Sequence, residues 1–317
     1  MRLTLRQLQI FQSVAHHGST SAAAASVPLS QSATSAAVNE LERILGVNLF
    51  DRVGKRLLLN DAGRALLPPA LAVLDGAHQI ENTFGRGGLR AFGDLQIDAS
   101  TTIGNYLLPA VLARYRELHP AARLDLRIGN TLDVVTSVRE FRTDVGFIEG
   151  PCHAPDVIVV PWLTDELVIV AAPSHPLAVL ASRRTLGPKR LLEALWLLRE
   201  PGSGTREAVE QALLRHLPGI ESTMILGSSE AIKNAAAEGL GLSCLSRAAV
   251  RDLVAAKRLV VLATRLPRLT RRLSWIHHRS KVLSATVRAF IGVADDVGDP
   301  SSPTRRPTSP ARRRQSS

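Results

Sequence analysis

The sequence predicts an α/β protein of three parts: a small helical head with a two-stranded wing, one long connecting helix, and two α/β lobes. Three observations carry that prediction. Apolar residues in the first 60 positions recur at helical spacing and are cut by Gly18, Pro28 and Gly46. Between residues 66 and 84 apolar positions alternate at intervals of four and three. From residue 93 short strand-like runs alternate with helical ones, the pattern of an α/β chain.

Composition bounds the function. A chain of 317 residues with 45% hydrophobic residues can bury two or three cores. No apolar run approaches the ~20 residues of a membrane span. Arg2, Arg6 and Gln7 break up any signal-peptide pattern, so a cytoplasmic protein is expected. Cys152 and Cys244 are not in a CxxC spacing, which argues against a disulfide framework or zinc finger and fits a reducing compartment. The net charge of +11 suggests a polyanionic partner. Part of that charge is the Ser/Pro-rich stretch 298–317, which reads as a disordered basic tail, either simply solvated or touching nucleic acid. Residues 1–60 add Arg2, Arg6, Arg43, Arg52, Lys55 and Arg56 against Glu40, Glu42 and Asp51, with three of the basic residues clustered at 52–56.

In the head, "TLRQLQIFQSVAHHGS" places Leu5, Leu8, Phe11, Val14 and Ala15 on one helical face, stopped by Gly18. Ser19 can cap a second short helix, and Pro28 forces a turn. Ser30 can cap a third helix that ends at Gly46. Two helices joined by a short turn form a helix-turn-helix. The third helix buries a stripe of Thr34, Ala37, Val38, Leu41, Ile44 and Leu45. Gln31, Ser32, Ser35, Ala36 and Asn39 face outward at its start. A recognition helix enters the major groove N-terminal end first, where small side chains permit close approach and Gln can pair bidentately with adenine. The alternative is a small-residue helix start that merely packs on a neighbour. "LFDRVGKRLLLND" reads as strand, turn at Gly54–Lys55, and strand: a wing bearing Arg52, Lys55 and Arg56 for the phosphate backbone or minor groove. The candidate DNA-binding residues are therefore Ser30, Gln31, Ser32, Thr34, Ser35, Asn39, Arg52, Lys55 and Arg56 on a winged helix-turn-helix.

These segments, from "LRQLQIFQSVAHHGS" through "LSQSATSAAVNELERILGVNLFDR" to "LLLNDAGRALLP", resemble the N-terminal signature of LysR-type transcriptional regulators. The resemblance implies that Gln31, Ser32 and Ser35 approach bases and that Arg52 and Arg56 hold the backbone or minor groove. Ala36 stands where an Arg is common, and Thr20 where a Phe is usual.

Asn60 caps the connecting helix, in which Leu66, Ala70, Val73, Ala77, Ile80 and Phe84 form a short heptad seam. A homodimer through this seam is expected, because a helix-turn-helix normally needs two copies to read two half-sites. The resemblance implies a homotetramer built from such dimers. Pro68 and Pro69 should bend or interrupt the helix near its start. "GRGGLRAFG" then makes a flexible joint at 85–93.

Strands are expected at "DLQIDAS", "ARLDLRIG", "DVGFIEG", "ELVIVAAP", "LWLLRE", "STMILG", "LGLSCLS" and "LSWIHH", with helices between, so parallel sheets are expected. The resemblance implies a two-lobed, periplasmic-binding-protein-like (type 2) effector domain over 93–297. Lobe I would hold 93–164 and 270–297, and lobe II 165–269, after a DNA-binding domain at 1–60 and a linker at 61–92. In open α/β sheets a ligand sits beyond the carboxyl ends of the strands. Three such ends lead into helix starts rich in hydroxyls and glycine: Ser100, Thr101 and Thr102; Gly202, Ser203 and Thr205; Ser228 and Ser229. They suit a small anion at helix N-termini, or simply N-caps.

"ASTTIGNYLLP", "IGNT", "EGP", "REPGSGTRE" and "SSEAIKNAAAEGLGLSCLS" are similar to regulators of sulfur assimilation and sulfite reduction, and some carbon-fixation regulators share much of the pattern. That likeness adds Glu149, in "EGP", to the candidates. It implies a sulfur oxyanion effector held by hydroxyls at Ser100 and Thr102.

Enzyme signatures such as GxSxG, HExxH or a P-loop do not occur, and no cofactor or metal is expected. The expected partners are double-stranded promoter DNA, a small-molecule effector, further copies of this chain, and RNA polymerase at the promoter. The alternative function is a cytoplasmic small-molecule-binding protein without a regulatory role.

Overall fold

The computed structural model describes residues 2–54, 56–84, 94–214, 216–217 and 224–298. Lys55, the joint 85–93 and the tail beyond Gly298 lie outside the described residues.

Side chains set each boundary of the head. Helix α1 (Leu5–His17) begins at a capping box in which the Thr4 hydroxyl accepts from the Gln7 N–H and the Gln7 side chain accepts from the Thr4 N–H. It ends where Gly18 turns left-handed, at φ 68°. Ser19 caps α2 (Thr20–Ser26), and Ser30 caps α3 (Gln31–Leu45), which stops at left-handed Gly46. Strands β1 (Phe50–Val53) and β2 (Arg56–Leu59) pair antiparallel, with Phe50 opposite Leu59. Leu8, Ile10, Phe11, Val14, Ala23, Val38, Leu41, Leu49 and Phe50 share one core. Leu5, expected on the buried face of α1, is 45% exposed, and Ile10 is buried instead.

Helix α4 (Asp61–Phe84) starts at Asn60, whose side-chain oxygen accepts from the Gly63 N–H at 2.9 Å. The helix runs unbroken through Pro68 and Pro69, which corrects the expected interruption. The seam divides in two. Ala70 is buried in the head core and Leu66 packs against it, whereas Val73 and Ile80 are 50% and 63% exposed. The Phe84 side chain lies outside the described residues.

Gly63 is where α4 crosses the base of the wing. A Cβ there would lie 2.1 Å from the Leu49 carbonyl oxygen and 2.7 Å from Leu59 Cδ2. Gly63→Ala should therefore destabilise the head by about 1–3 kcal/mol through overpacking, read as a lowered melting temperature. A melt unchanged from the parent would contradict this seating of α4.

Lobe I opens with β3 (Leu95–Ser100), a π-helical turn at Ile103–Leu107 and α5 (Leu108–Leu118). Strand β4 (Leu124–Gly129), α6 (Thr131–Arg139) and β5 (Val145–Glu149) follow, with β3 parallel to both β4 and β5. The fifteen-residue β6 (Val157–Ala171) carries the chain into lobe II. Lobe II holds α7 (Pro176–Ala181), α8 (Pro188–Leu192), β7 (Leu197–Arg199), α9 (Gly204–Leu214), β8 (Met224–Leu226), α10 (Ser229–Ala237), β9 (Ser243–Ser246), α11 (Arg247–Ala255) and β10 (Val260–Val261). Strand β11 (Leu269–His278) returns to lobe I, and α12 (Ala285–Gly298) closes on it.

The strand order of the main sheet is β10-β6-β11-β5-β3-β4, with β9 also on β6. It is mixed, not parallel as expected. The chain crosses between the lobes twice in opposite directions, so β6 and β11 must pair antiparallel. Parallel pairing is kept in β3 with β4 and β5, and in β7 with β8. The first half of β6 was not expected, because Pro161 breaks the strand signal. A register shift opposite it, between Leu273 and Ser274, lets β11 accommodate that stretch. Each lobe has its own core: Ile97, Phe147, Tyr115 and Phe290 in lobe I, and Trp196, Leu213 and Leu242 in lobe II.

Candidate functional site

The first site is the front of α3 with the wing. Ser30, Gln31, Ser32 and Asn39 are exposed and Ser35 is half-buried. Arg52 and Arg56 are exposed on the wing. Ser35, Asn39 and Arg52 line one concavity of about 390 Å³ between α3 and the wing. The Ser30 hydroxyl accepts from the Ala33 N–H at 3.1 Å, so capping holds the helix start open. The Gln31 side-chain N–H donates to Thr20 Oγ1 at 3.1 Å, which orients the amide. Thr34 is a correction: it is fully buried and its hydroxyl donates back to the Ser30 carbonyl at 3.0 Å. It belongs to the packed face and offers nothing to a groove.

The second site is the cleft between the lobes. Here the structure brings together the hydroxyls of two of the three helix starts around a carboxylate that belongs to the protein. The Glu149 Oε1 accepts from the Thr102 N–H at 2.7 Å. Its Oε2 accepts from the Thr102 hydroxyl at 3.1 Å and the Thr205 hydroxyl at 2.5 Å. Arg271 pairs with the same oxygen, and also reaches Thr205 Oγ1 at 2.9 Å and Thr102 Oγ1 at 3.2 Å. On its far side Arg271 Nε donates to Asp165 at 2.8 Å, and the Ser246 hydroxyl holds the other Asp165 oxygen. Glu149 and Arg271 are 1% and 5% exposed. Burial alone would push the Glu149 carboxyl up. The Arg271 guanidinium, the Thr205 hydroxyl and the Thr102 N–H outweigh it and hold the group below the ordinary carboxylate range.

This arrangement ties three of the candidates to one another. Thr102 and Thr205 each spend their one hydroxyl proton on Glu149. Glu149 is neutralised by Arg271 and presents no free carboxylate. Ser100 Oγ is buried beside Glu149, and its hydroxyl adds to the groups that hold that carboxyl low. Gly204, next to Thr205, passes so close to the Glu149 carbonyl oxygen that a Cβ would lie 1.8 Å from it.

A second set of buried cations reaches from lobe II to lobe I. Arg199, 4% exposed, ion-pairs with Glu200 at 2.7 Å and donates to Ser229 Oγ at 2.7 Å. Across the cleft it lies 3.4 Å from Thr101 Oγ1, whose proton goes to the Gly129 carbonyl. Lys233 reaches Glu230, Asp252 and the Tyr106 hydroxyl. Gly202 is left-handed at φ 86°, and its carbonyl accepts from the Leu132 N–H of lobe I at 3.2 Å. Ser203 and Ser228 accept from N–H groups three residues on and act as caps.

Arg199, Lys233, Asp165 and Arg271 were missed from the sequence. The available signal was a charged residue inside an otherwise apolar strand or helix, as in "LWLLRE" and "SEAIKNAAAEG". Cys244 is buried, and burial pushes its thiol up to about 12, so it is no reactive nucleophile. Among the described residues no cluster of His, Cys, Asp and Glu is placed to hold a metal ion, and no helix is long and apolar enough to cross a membrane.

A winged helix-turn-helix head joined by a long helix to a two-lobed α/β domain defines a class: a DNA-binding regulator with its ligand-binding domain in the same chain. Residues 5–64 match the model for bacterial regulatory helix-turn-helix proteins of the lysR family, and residues 90–298 match the LysR substrate binding domain. The chain belongs to the LysR family of transcriptional regulators and is not an enzyme. It is 51% identical over 300 residues to the uncharacterized HTH-type transcriptional regulator YeiE of Escherichia coli (strain K12), covering 95% of this chain and 100% of that one. It is 32% identical to a RuBisCO operon transcriptional regulator of Allochromatium vinosum, over 92% of this chain and 95% of that one. Among solved structures, a full-length OxyR variant from Pseudomonas aeruginosa shares the fold, with a TM-score of 0.70, 24% identity and coverage of 94% and 95%. The Synechocystis PCC6803 CcmR regulatory domain in complex with 2-PG matches at a TM-score of 0.59 and 27% identity, over 66% of this chain and 98% of that one.

Proposed function

We propose that this regulator reads promoter DNA through Gln31, Ser32, Ser35 and Asn39, with Arg52 and Arg56 on the phosphate backbone, and that a small anion between the lobes controls it. The observation that supports the DNA reading is the polar, uncrowded front of α3 beside the two exposed wing arginines. A homodimer through the exposed Val73 and Ile80 face of α4, assembled into a tetramer, would present paired heads to paired half-sites. Its setting would be the cytoplasm, with RNA polymerase as the further partner.

For the effector, the supporting observation is Arg199, buried with its ion-pair partner Glu200 between Thr101 of lobe I and Ser229 of lobe II, where an anion would compete with Glu200 for the guanidinium. The anion is a sulfur oxyanion such as sulfite or sulfate, which matches the hydroxyl-rich segments around it. The network of Glu149 and Arg271 serves as the floor of the site. Bound anion would favour one arrangement of the lobes, and a differential affinity of ~1–3 kcal/mol is enough for ordinary control. Calorimetry with sulfite, sulfate, thiosulfate, phosphate and 2-PG tests the reading. The parent should bind at least one sulfur oxyanion, and Arg199→Met should weaken it by about tenfold or more. Binding of only an uncharged ligand, or unchanged binding by Arg199→Met, would reject it.

A further inference from the structure

We propose that Lys281, clamped between the linker helix and lobe I, is the joint that fixes the angle of the DNA-binding arm. Its side chain is 2% exposed. Its Nζ lies 2.5 Å from Asp75 Oδ1 of α4 and 3.1 Å from Asp144 Oδ1 of lobe I. A lysine held this far from water is stable only while both carboxylates stay in place, so the contact strongly penalises any other position of the arm. Asp144 is fixed in turn, because its other oxygen accepts from the Gln96 N–H of β3 at 2.8 Å. The Lys281 ammonium also stands 5.9 Å from the centre of the Phe141 ring. Phe141 is held left-handed at φ 55°, an uncommon and strained conformation for a bulky residue. Its ring packs on His278 at 4.3 Å and lines a cleft with Gln9 and Leu71 of the head and arm.

Two rigid elements run from the interlobe cleft to this joint. At its start α6 touches the cleft, where the Thr131 hydroxyl donates to the Glu149 carbonyl and the Leu132 N–H donates to Gly202 of lobe II. At its end α6 leads directly to Phe141 and Asp144. Strand β11 carries Arg271 at the floor of the cleft and ends at His278, three residues before Lys281. A shift of lobe II against lobe I therefore acts on the joint through α6 and β11. Lys281 is a positioning residue: it touches neither DNA nor effector, and it sets where the paired heads stand.

This inference rests on the reading of paired operator half-sites, and the test separates the two. Lys281→Met, Lys281→Arg and Asp75→Asn proteins would be compared with the parent on a self-selected operator and on copies with two or three base pairs inserted between the half-sites. The parent should prefer the native spacing by about tenfold or more, within the range of ordinary coupling energies. Lys281→Met and Asp75→Asn should lose most of that preference while binding an isolated half-site as the parent does. Lys281→Arg, which keeps the charge, should restore much of it. Hydrogen exchange supplies a readout that needs no DNA. Amides of Asp75-containing α4 peptides and of residues 139–144 should exchange faster in both neutral variants, with β3 and β5 unchanged. Asp75→Asn changes a residue on the arm and leaves Lys281 and lobe I intact, so it remains informative if Lys281→Met does not fold. Spacing preference and exchange both unchanged in folded Asp75→Asn protein would overturn the proposal. Failure of the parent to bind any duplex would reject the DNA reading, and exchange alone would then decide the joint.

Discussion

Arg271→Met is expected to cost about 3–5 kcal/mol of folding stability, the largest effect expected of any single substitution in the chain. The change keeps volume and removes a charge that two buried carboxylates share. Glu149 and Asp165 would face each other without a counter-ion, and Thr102 and Thr205 would lose a donor each. Urea unfolding of the effector domain measures the loss. The sign of its pH dependence is also fixed. In the parent, Glu149 titrates below its ordinary value, so its stabilisation is present above that value and is lost as pH falls through the folded pKa. In Arg271→Met, burial without the guanidinium raises the Glu149 pKa, so stability is lost as pH rises. The gap between the two proteins should narrow toward acid. The double variant Glu149→Gln/Arg271→Met should regain part of the loss, because one buried charge has gone. A gap that stayed constant with pH would mean that the network does not carry the stability.

The second large effect is on DNA. Arg52→Ala and Arg56→Ala should weaken binding to every duplex, each flattening the slope of log affinity against log salt by about 0.9 for a lost phosphate contact. Gln31→Ala should act differently. It should relax preference at one base pair, at a cost of roughly 1–3 kcal/mol, and leave the salt slope alone. The Thr20 hydroxyl, which accepts from the Gln31 amide, predicts a smaller loss of the same kind for Thr20→Val. Filter binding over a range of salt concentrations separates the two classes. Equal loss on all sequences for Gln31→Ala would move base reading elsewhere.

The head was legible in the sequence because its boundaries are local. Gly18, Ser19, Ser30, Gly46 and Asn60 each do their structural work within a few residues, and the structure shows all five at helix ends. Thr34 could be read two ways, as stripe or as groove face, and its buried hydroxyl bond to Ser30 decides for the stripe. The cleft was only half legible. Hydroxyls at three helix starts singled out strand ends that the fold brings near the lobe boundary, but what they bond depends on partners far away in sequence. Arg271 meets Glu149 across 122 positions and Thr102 across 169. Those pairings are set by the register of β6 and β11, and Pro161 hid half of one of those strands. The parallel-sheet expectation failed for the same reason: local pattern shows that strands alternate with helices, but not that two of them span both lobes.

Footprinting on the chain's own upstream promoter, with and without sulfite, tests most directly that one protein couples a small anion to DNA. The account predicts specific protection of paired half-sites by the parent, and a change in the length or edge of the protected region on adding the anion that calorimetry shows to bind. That change should be absent in Arg199→Met protein, which should still protect the same half-sites. Protection that is identical with and without every anion the parent binds would contradict the account, as would protection with no sequence preference.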